Sequence, residues 1–277
     1  MHMLDLPHEL LSYIVHFADP NTLRALCLTE KHILYHIARH FLWRNVTVIF
    51  GTNQKSTLNL LSFDPERLAA LRFISIIVDG SFDDCLSSFT SVLASMINVN
   101  YVRVSGASGA FIRLILENTM ATLVTLELDD CYAEPQDFSE MIPIAIRDLR
   151  ISSCHSNIRF LLGPLQVEDL EVHGAGPDDE CMPVGVTLRR LTDTDLGKLK
   201  RLCLVDTCRD TGCRDLLHLM RALERPLLSL KDLVLDIPLS EDVHQKLLEL
   251  IPAFPMLKES RIVSRVIETS IAFATHN

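Results

Sequence analysis

Three places in the sequence bring together side chains able to do chemistry. Cys208-x4-Cys213-x4-His218, with Cys203 upstream, has the residue types of a zinc site. It lacks the paired short knuckles of structural zinc, and on a helix Cys213 and His218, five apart, point to different faces. Buried or half-buried thiols are the reading taken for these cysteines. His32, His36 and His40 stand at i, i+4 and i+8, a spacing able to hold a metal weakly. No carboxylate or cysteine completes that set, and a polar helix face explains it. Gly106-x-x-Gly109 follows a predicted strand and precedes a predicted helix, but it lacks the third glycine and the Lys-Ser/Thr ending of phosphate loops. A turn is the expectation there. The sequence contains no Gly-x-Ser-x-Gly elbow, paired catalytic carboxylates or His-Glu-x-x-His. The expectation is a protein that is not an enzyme, with no cofactor and no metal.

Composition narrows the partners. The chain has 277 residues, 48% of them apolar, enough for one or two domains with a large core. Acidic residues number 36 against 26 basic, a net charge of −10. That balance argues against nucleic acid and anionic membranes, which reward clustered Lys and Arg. No apolar run reaches the ~18 residues that span a bilayer. The start Met1-His2-Met3-Leu4-Asp5 has neither the basic segment nor the cleavage site of a signal peptide. Eight cysteines in a chain of this size are too sparse for a disulfide-stapled secreted module, so a reduced cytoplasmic or nuclear compartment is expected. Residues 1–50 carry four acids and four bases, so the whole −10 falls on residues 51–277.

The elements that must position these residues begin with helices. Leu10, Leu11, Ile14 and Val15 recur at helical spacing after Pro7, which suits a first turn. Asp19-Pro20 reads as an N-cap followed by Pro at the first helical position, opening a segment with Leu23, Leu26 and Cys27 on one side. Ile33, Leu34, Ile37 and Phe41 form a third stripe. Three helices in about forty residues close only a marginal core, so this module should lean on the rest of the chain or on a partner.

Leu6-Pro7-x-Glu9-Leu10-Leu11-x-x-Ile14, then Asp19-Pro20-x-x-Leu23-x-x-Leu26, then Leu42-Trp43, resembles the F-box over about residues 4–45. His32 or Ile33 stands near the place of that family's usual third-helix Trp. The resemblance implies docking to the small adaptor subunit of SCF-type ubiquitin ligases and, through it, to cullin. The matching positions Leu6, Pro7, Leu10, Leu11, Ile14, Leu23 and Leu26 would supply the contacts. The alternative is an ordinary three-helix start to a larger domain.

Beyond the helices the pattern apolar-x-x-apolar-x-apolar occurs nine times: Trp43/Val46/Val48, Leu71/Ile74/Ile76, Val99/Val102/Val104, Leu123/Leu126/Leu128, Ile146/Leu149/Ile151, Val167/Leu170/Val172, Leu199/Leu202/Leu204, Leu230/Leu233/Leu235 and Leu257/Ser260/Ile262. Successive final positions lie 28, 28, 24, 23, 21, 32, 31 and 27 residues apart, near the ~20–29-residue period of leucine-rich repeats. The stretches between copies, among them Phe89–Met96, Phe111–Met120 and Leu216–Leu223, read as helices, with Asp64-Pro65 and Ser240-Glu241 as start signals. A strand and helix repeated in this way buries its apolar edge only by stacking on its neighbours. The expected fold is α/β: a three-helix module over 1–45, then a curved leucine-rich-repeat-like solenoid over 46–277 with a parallel β-sheet on its concave face. This part resembles the divergent leucine-rich repeats of F-box proteins, and Cys131 and Cys154 fit the slot where such repeats hydrogen-bond the turn after the strand. An open α/β domain with a parallel sheet is the competing fold. The first copy overlaps the helices, so a shared core is expected.

Side chains alternate along a strand, so the third, fifth and seventh positions of each copy should face out of the sheet. The fifth column runs Ser75, Arg103, Glu127, Arg150, Glu171, Cys203, Val234, Arg261, a partial ladder of alternating charge. Thr125, Asp148, Asp169 and Asp232 flank it on one side, interrupted by Arg201; Asp129, His173 and Asp236 flank it on the other. Tyr101, Arg103, Thr125, Glu127, Asp129, Asp148, Asp169, His173 and Asp232 are therefore the candidate client-binding residues, and the acidity predicts a protein client with a basic segment. Solvated surface charge is the competing account.

The function these readings imply is a non-catalytic substrate-recognition subunit of an SCF-type ubiquitin ligase. The alternatives are a leucine-rich-repeat interaction scaffold whose helices cap the solenoid, and a small-molecule receptor built around the poorly patterned segment 174–198, itself readable as a surface loop.

Overall fold

The computed structural model describes residues 6–29, 33–50, 65–79, 86–174, 198–206, 229–237, 244–245, 248–249 and 256–264. Cys208, Cys213, His218, His32, Asp64, Ser240, Glu241, the predicted helix Leu216–Leu223 and nearly all of segment 174–198 lie outside the described residues.

The chain opens with helices α1 (His8–His16), α2 (Pro20–Thr29) and α3 (Ile33–Leu42). Pro7 stands as the N-cap of α1, with φ −53° and ψ 147°. Asp19 caps α2 as its type predicts: its Oδ1 accepts from Asn21 N at 2.9 Å and Thr22 N at 3.1 Å. Its other oxygen accepts from the Thr22 hydroxyl at 2.5 Å, the main reason the carboxyl sits below its ordinary pKa. Leu11, Val15, Leu23, Leu34, Ile37 and Ala38 form the core of the three helices, with Leu6, Ala18, Leu26, Cys27, Phe41 and Leu42 packed around it. Among the described residues the three helices close a small core of their own.

Strands β1 (Asn45–Phe50), β2 (Phe73–Val78), β3 (Tyr101–Ser105) and β4 (Thr125–Asp129) follow, joined by helices α4 (Pro65–Ala70), α5 (Leu86–Ala94) and α6 (Gly109–Thr119). Further on come β5 (Ile144–Ser152), β6 (Leu165–Gly174), β7 (Arg201–Asp206), β8 (Asp232–Ile237) and β9 (Glu259–Ser264). The architecture is mixed α/β with a parallel sheet. The chain divides into two compact units, residues 1–107 with 111–126, and 108–110 with 127–277.

In the first unit β1, β2 and β3 pair in parallel and in sequence order. The Arg44 carbonyl accepts from Arg72 N and Phe73 N, and the Arg72 carbonyl from Asn100 N and Tyr101 N, so each strand starts from the same two-pronged bond. Val46, Val48 and Phe50, then Ile74 and Ile76, then Val102 and Val104 point into the core at the alternate positions the pattern requires. Phe50, Phe89 and Phe111, from a strand and two helices, meet there with ring centroids 5.0–6.0 Å apart.

In the second unit β5 through β9 also pair in parallel and in order. The two-pronged bond recurs, with Lys200 O accepting from Lys231 N and Asp232 N, and Lys231 O from Lys258 N and Glu259 N. Here one expectation fails. The stretches before β5 and β6 carry short 3-10 turns, Pro135–Phe138 and Ser156–Leu162, where α-helices are expected. These two strands run to nine and ten residues, which leaves only 130–143 and 153–164 for the return path, and Pro135 starts the first turn.

The turn after the strand is a repeated device. Gly106 (φ 72°), Asp130 (φ 51°) and Ser153 (φ 52°) adopt the left-handed region directly after β3, β4 and β5. Each is followed by a small buried residue, Ala107, Cys131 or Cys154. Cys154 Sγ accepts from Cys131 N at 3.3 Å, and Cys131 Sγ donates to the Asp129 carbonyl at 3.3 Å, so both thiols serve the turns as their slot suggests. A Cβ on Gly106 would stand 2.5 Å from the Val78 carbonyl oxygen, and one on Gly109 would strike Asp137 and Ala133. Both glycines of the phosphate-loop-like motif are thereby explained by packing.

Candidate protein-binding surfaces

Two surfaces present the residues singled out by sequence, and they differ in chemistry. On α1, Leu11 and Val15 turn inward and are 1% and 0% exposed. One step round the helix, Leu10, Tyr13, Ile14 and Phe17 turn outward and are 50%, 66%, 46% and 70% exposed. A helix apolar on both faces normally lies buried between two layers. Among the described residues only the inner layer is supplied, by α2 and α3. Tyr13 and Phe17 pack edge to face at 5.1 Å and extend the outer stripe.

Of the predicted docking residues, Pro7, Leu10 and Ile14 lie on this outer surface. Leu6 and Leu26 are half-buried against the helical core, and Leu11 and Leu23 are inside it. Tyr13 and Phe17 are not among the predicted contacts. The signal for them is a second stripe at 10, 13, 14 and 17, interleaved with the first.

The second surface is the outward face of the strands. Tyr101 is half-buried against Phe73 of the neighbouring strand, ring centroids 4.6 Å apart, and Arg103 is exposed. Thr125, expected on the open face, is only 7% exposed. Glu127 and Asp129 are half-buried. In the second unit the predicted columns are realised in register: Asp148 opposite Asp169, Asp169 opposite Arg201, Arg201 opposite Asp232, and Ser152 opposite His173.

The charges there are organised around Glu171. His173 Nε2 lies 2.7 Å from Glu171 Oε1, and Arg150 Nε and Arg201 Nη1 each lie 3.7 Å from Oε2. Arg150 and Glu171 are thus one realised rung of the predicted ladder. Asp148 receives Arg147 Nη2 at 3.1 Å, which raises the pKa of that exposed guanidinium. Partial burial, then the neighbouring Asp148, push the Asp169 carboxyl above its ordinary pKa. Across β5–β8 the outward positions hold Asp148, Glu168, Asp169, Glu171, Asp232 and Asp236 against Arg147, Arg150 and Arg201, an excess of three carboxylates over guanidiniums.

Among the described residues no group of three His, Cys, Asp or Glu side chains is placed to hold a metal ion. No described helix is long and apolar enough to cross a membrane. No protein-family model matches the chain, and no curated protein matches it in sequence.

Proposed function

We propose that this chain is a non-catalytic substrate-recognition subunit of an SCF-type ubiquitin ligase, with α1–α3 acting as an F-box and the strand repeats as a leucine-rich-repeat-like client platform. The observation that carries the reading is the outer face of α1. Four large apolar side chains stay exposed there, while the helix already has a complete inner face. An exposed apolar stripe of this kind marks a docking site for a partner. The in-register parallel strands and the repeated turn geometry support a repeat architecture, whose open face commonly binds protein. The acidic excess on β5–β8 favours a basic client segment.

Ubiquitin transfer belongs to other subunits in this scheme; this chain contributes tethering and selection. Co-expression with the adaptor subunit should yield a stable complex, and Leu10→Asp with Ile14→Asp should abolish it without unfolding the chain. No complex with the intact chain, or an unchanged complex with the double variant, would overturn the proposal. The scaffold reading, in which the helices cap the sheet, draws on the Arg44 carbonyl that links the helical module to β2. A cap is self-sufficient, so that reading predicts a fully soluble monomer indifferent to the adaptor.

A further inference from the structure

A half-open cleft of about 300 Å³ lies between α3 and α4, lined by His36, Arg39, His40, Trp43, Glu66 and Arg67. Its lining is rich in basic side chains although the chain as a whole carries a net charge of −10. Arg67 lies over the indole of Trp43, its guanidinium carbon 4.5 Å from the ring centroid, a contact that restrains the fork. Arg39 enters from the opposite element, its side chain 24% exposed. Arg72 is held near the cleft by hydrogen bonds to the carbonyls of Ala69 and Leu71, at 2.8 and 3.0 Å. His36 and His40, one turn apart on α3, add two imidazoles.

Among the described residues Glu66 is the carboxylate that lines the cleft, and most of it is in water. Its Oε2 stands 3.6 Å from Arg39 Nη1, beyond hydrogen-bond length, with the side chain 80% exposed. Solvent screens a charge so placed, so it offsets only part of the field of the arginines. Partial desolvation, then Arg72 and Arg44, hold the His40 imidazole below its ordinary pKa, in keeping with positive potential at that wall.

We propose that this cleft binds a phosphate monoester. Two guanidinium groups from two elements converge on a space the size of a small ligand, and forked donors match phosphate oxygens. A dianion uses both guanidiniums, whereas a single carboxylate needs one. The site is independent of the docking and client surfaces, so it stands or falls separately from the ligase reading. The phosphate could be carried by a free ester or by a phosphorylated side chain of a protein, and the chemistry recognised is the same.

Trp43 is the sole tryptophan of the chain, so its emission reads occupancy directly. The full chain is titrated with glycerol phosphate and, separately, with a short phosphoserine peptide, against sodium chloride of equal ionic strength. A saturable change with either phosphate and none with chloride is expected. Response to both identifies a free ester as sufficient, and response to the peptide alone identifies a protein source. Arg39→Gln with Arg67→Gln should weaken binding at least tenfold. Glu66→Gln, at an exposed position, should tighten it by about two- to fivefold, since a competing charge is removed. That gain cannot arise from damage to the fold. A response no different from chloride, or a Glu66→Gln variant that binds no more tightly, overturns the proposal.

Discussion

The helical module and the strand repeats solve the same problem differently. In β1–β3 Val46, Val48, Phe50, Ile74, Ile76, Val102 and Val104 turn inward at alternate positions, and Phe50, Phe89 and Phe111 fill the space between strand and helices. In α1 a wide apolar arc runs from Leu11 and Val15 on its inner edge to Leu10, Tyr13, Ile14 and Phe17. It faces a narrow polar stripe of His8, Glu9, Ser12 and His16, and its outer part finds no cover among the described residues. The repeats bury their strand core internally, and β5–β8 show the solvent mostly charge. The helices bury their apolar surface only in part, and the remainder is available to another molecule. Burial therefore separates residues that serve the fold from those able to serve a partner, where residue type does not.

The largest expected effect lies in the repeat core. Phe89→Ala should cost about 3–5 kcal/mol, because it removes a fully buried ring between two others and leaves a cavity. Denaturant titration measures it, and a loss below about 1 kcal/mol would break the claim that this region is tightly filled. A smaller effect is expected at the turns. Gly106→Ala should destabilise by about 1–3 kcal/mol, since both the positive φ and the Val78 carbonyl oppose a Cβ. Ser153→Gly at the equivalent turn should stabilise by about 0.5–1 kcal/mol by relieving the left-handed serine. Opposite signs in thermal melts of the two variants would sharpen the view that one turn geometry recurs; equal signs would contradict it.

The register of the strands was legible because a period of two fixes the face of every residue once the apolar positions are known. Arg150 opposite Glu171 and Asp148 opposite Asp169 follow from pattern alone. The cap at Asp19 was legible for a local reason, since its partners lie within three residues. The 3-10 returns were not, because strand length decides them and nothing in the apolar pattern says where β5 and β6 begin. Nor were the roles of Leu11 and Leu10: adjacent leucines within one wide apolar arc differ only in what packs against each. Thr125 is buried for the same kind of reason, set by its surroundings rather than by its polarity. The cleft beside Trp43 joins residues from two elements, Arg39 and Arg67, that no short motif connects.

The central claim is that the outer face of α1 serves binding and not folding. Tyr13→Ser with Phe17→Ser tests it in one preparation, by calorimetric titration of the adaptor subunit alongside the unfolding midpoint of the free chain. The account predicts a midpoint unchanged to within what ~0.5 kcal/mol would produce, as for surface substitutions generally, and adaptor affinity weakened at least tenfold. A midpoint that falls by several kcal/mol, or an affinity that does not move, would contradict it.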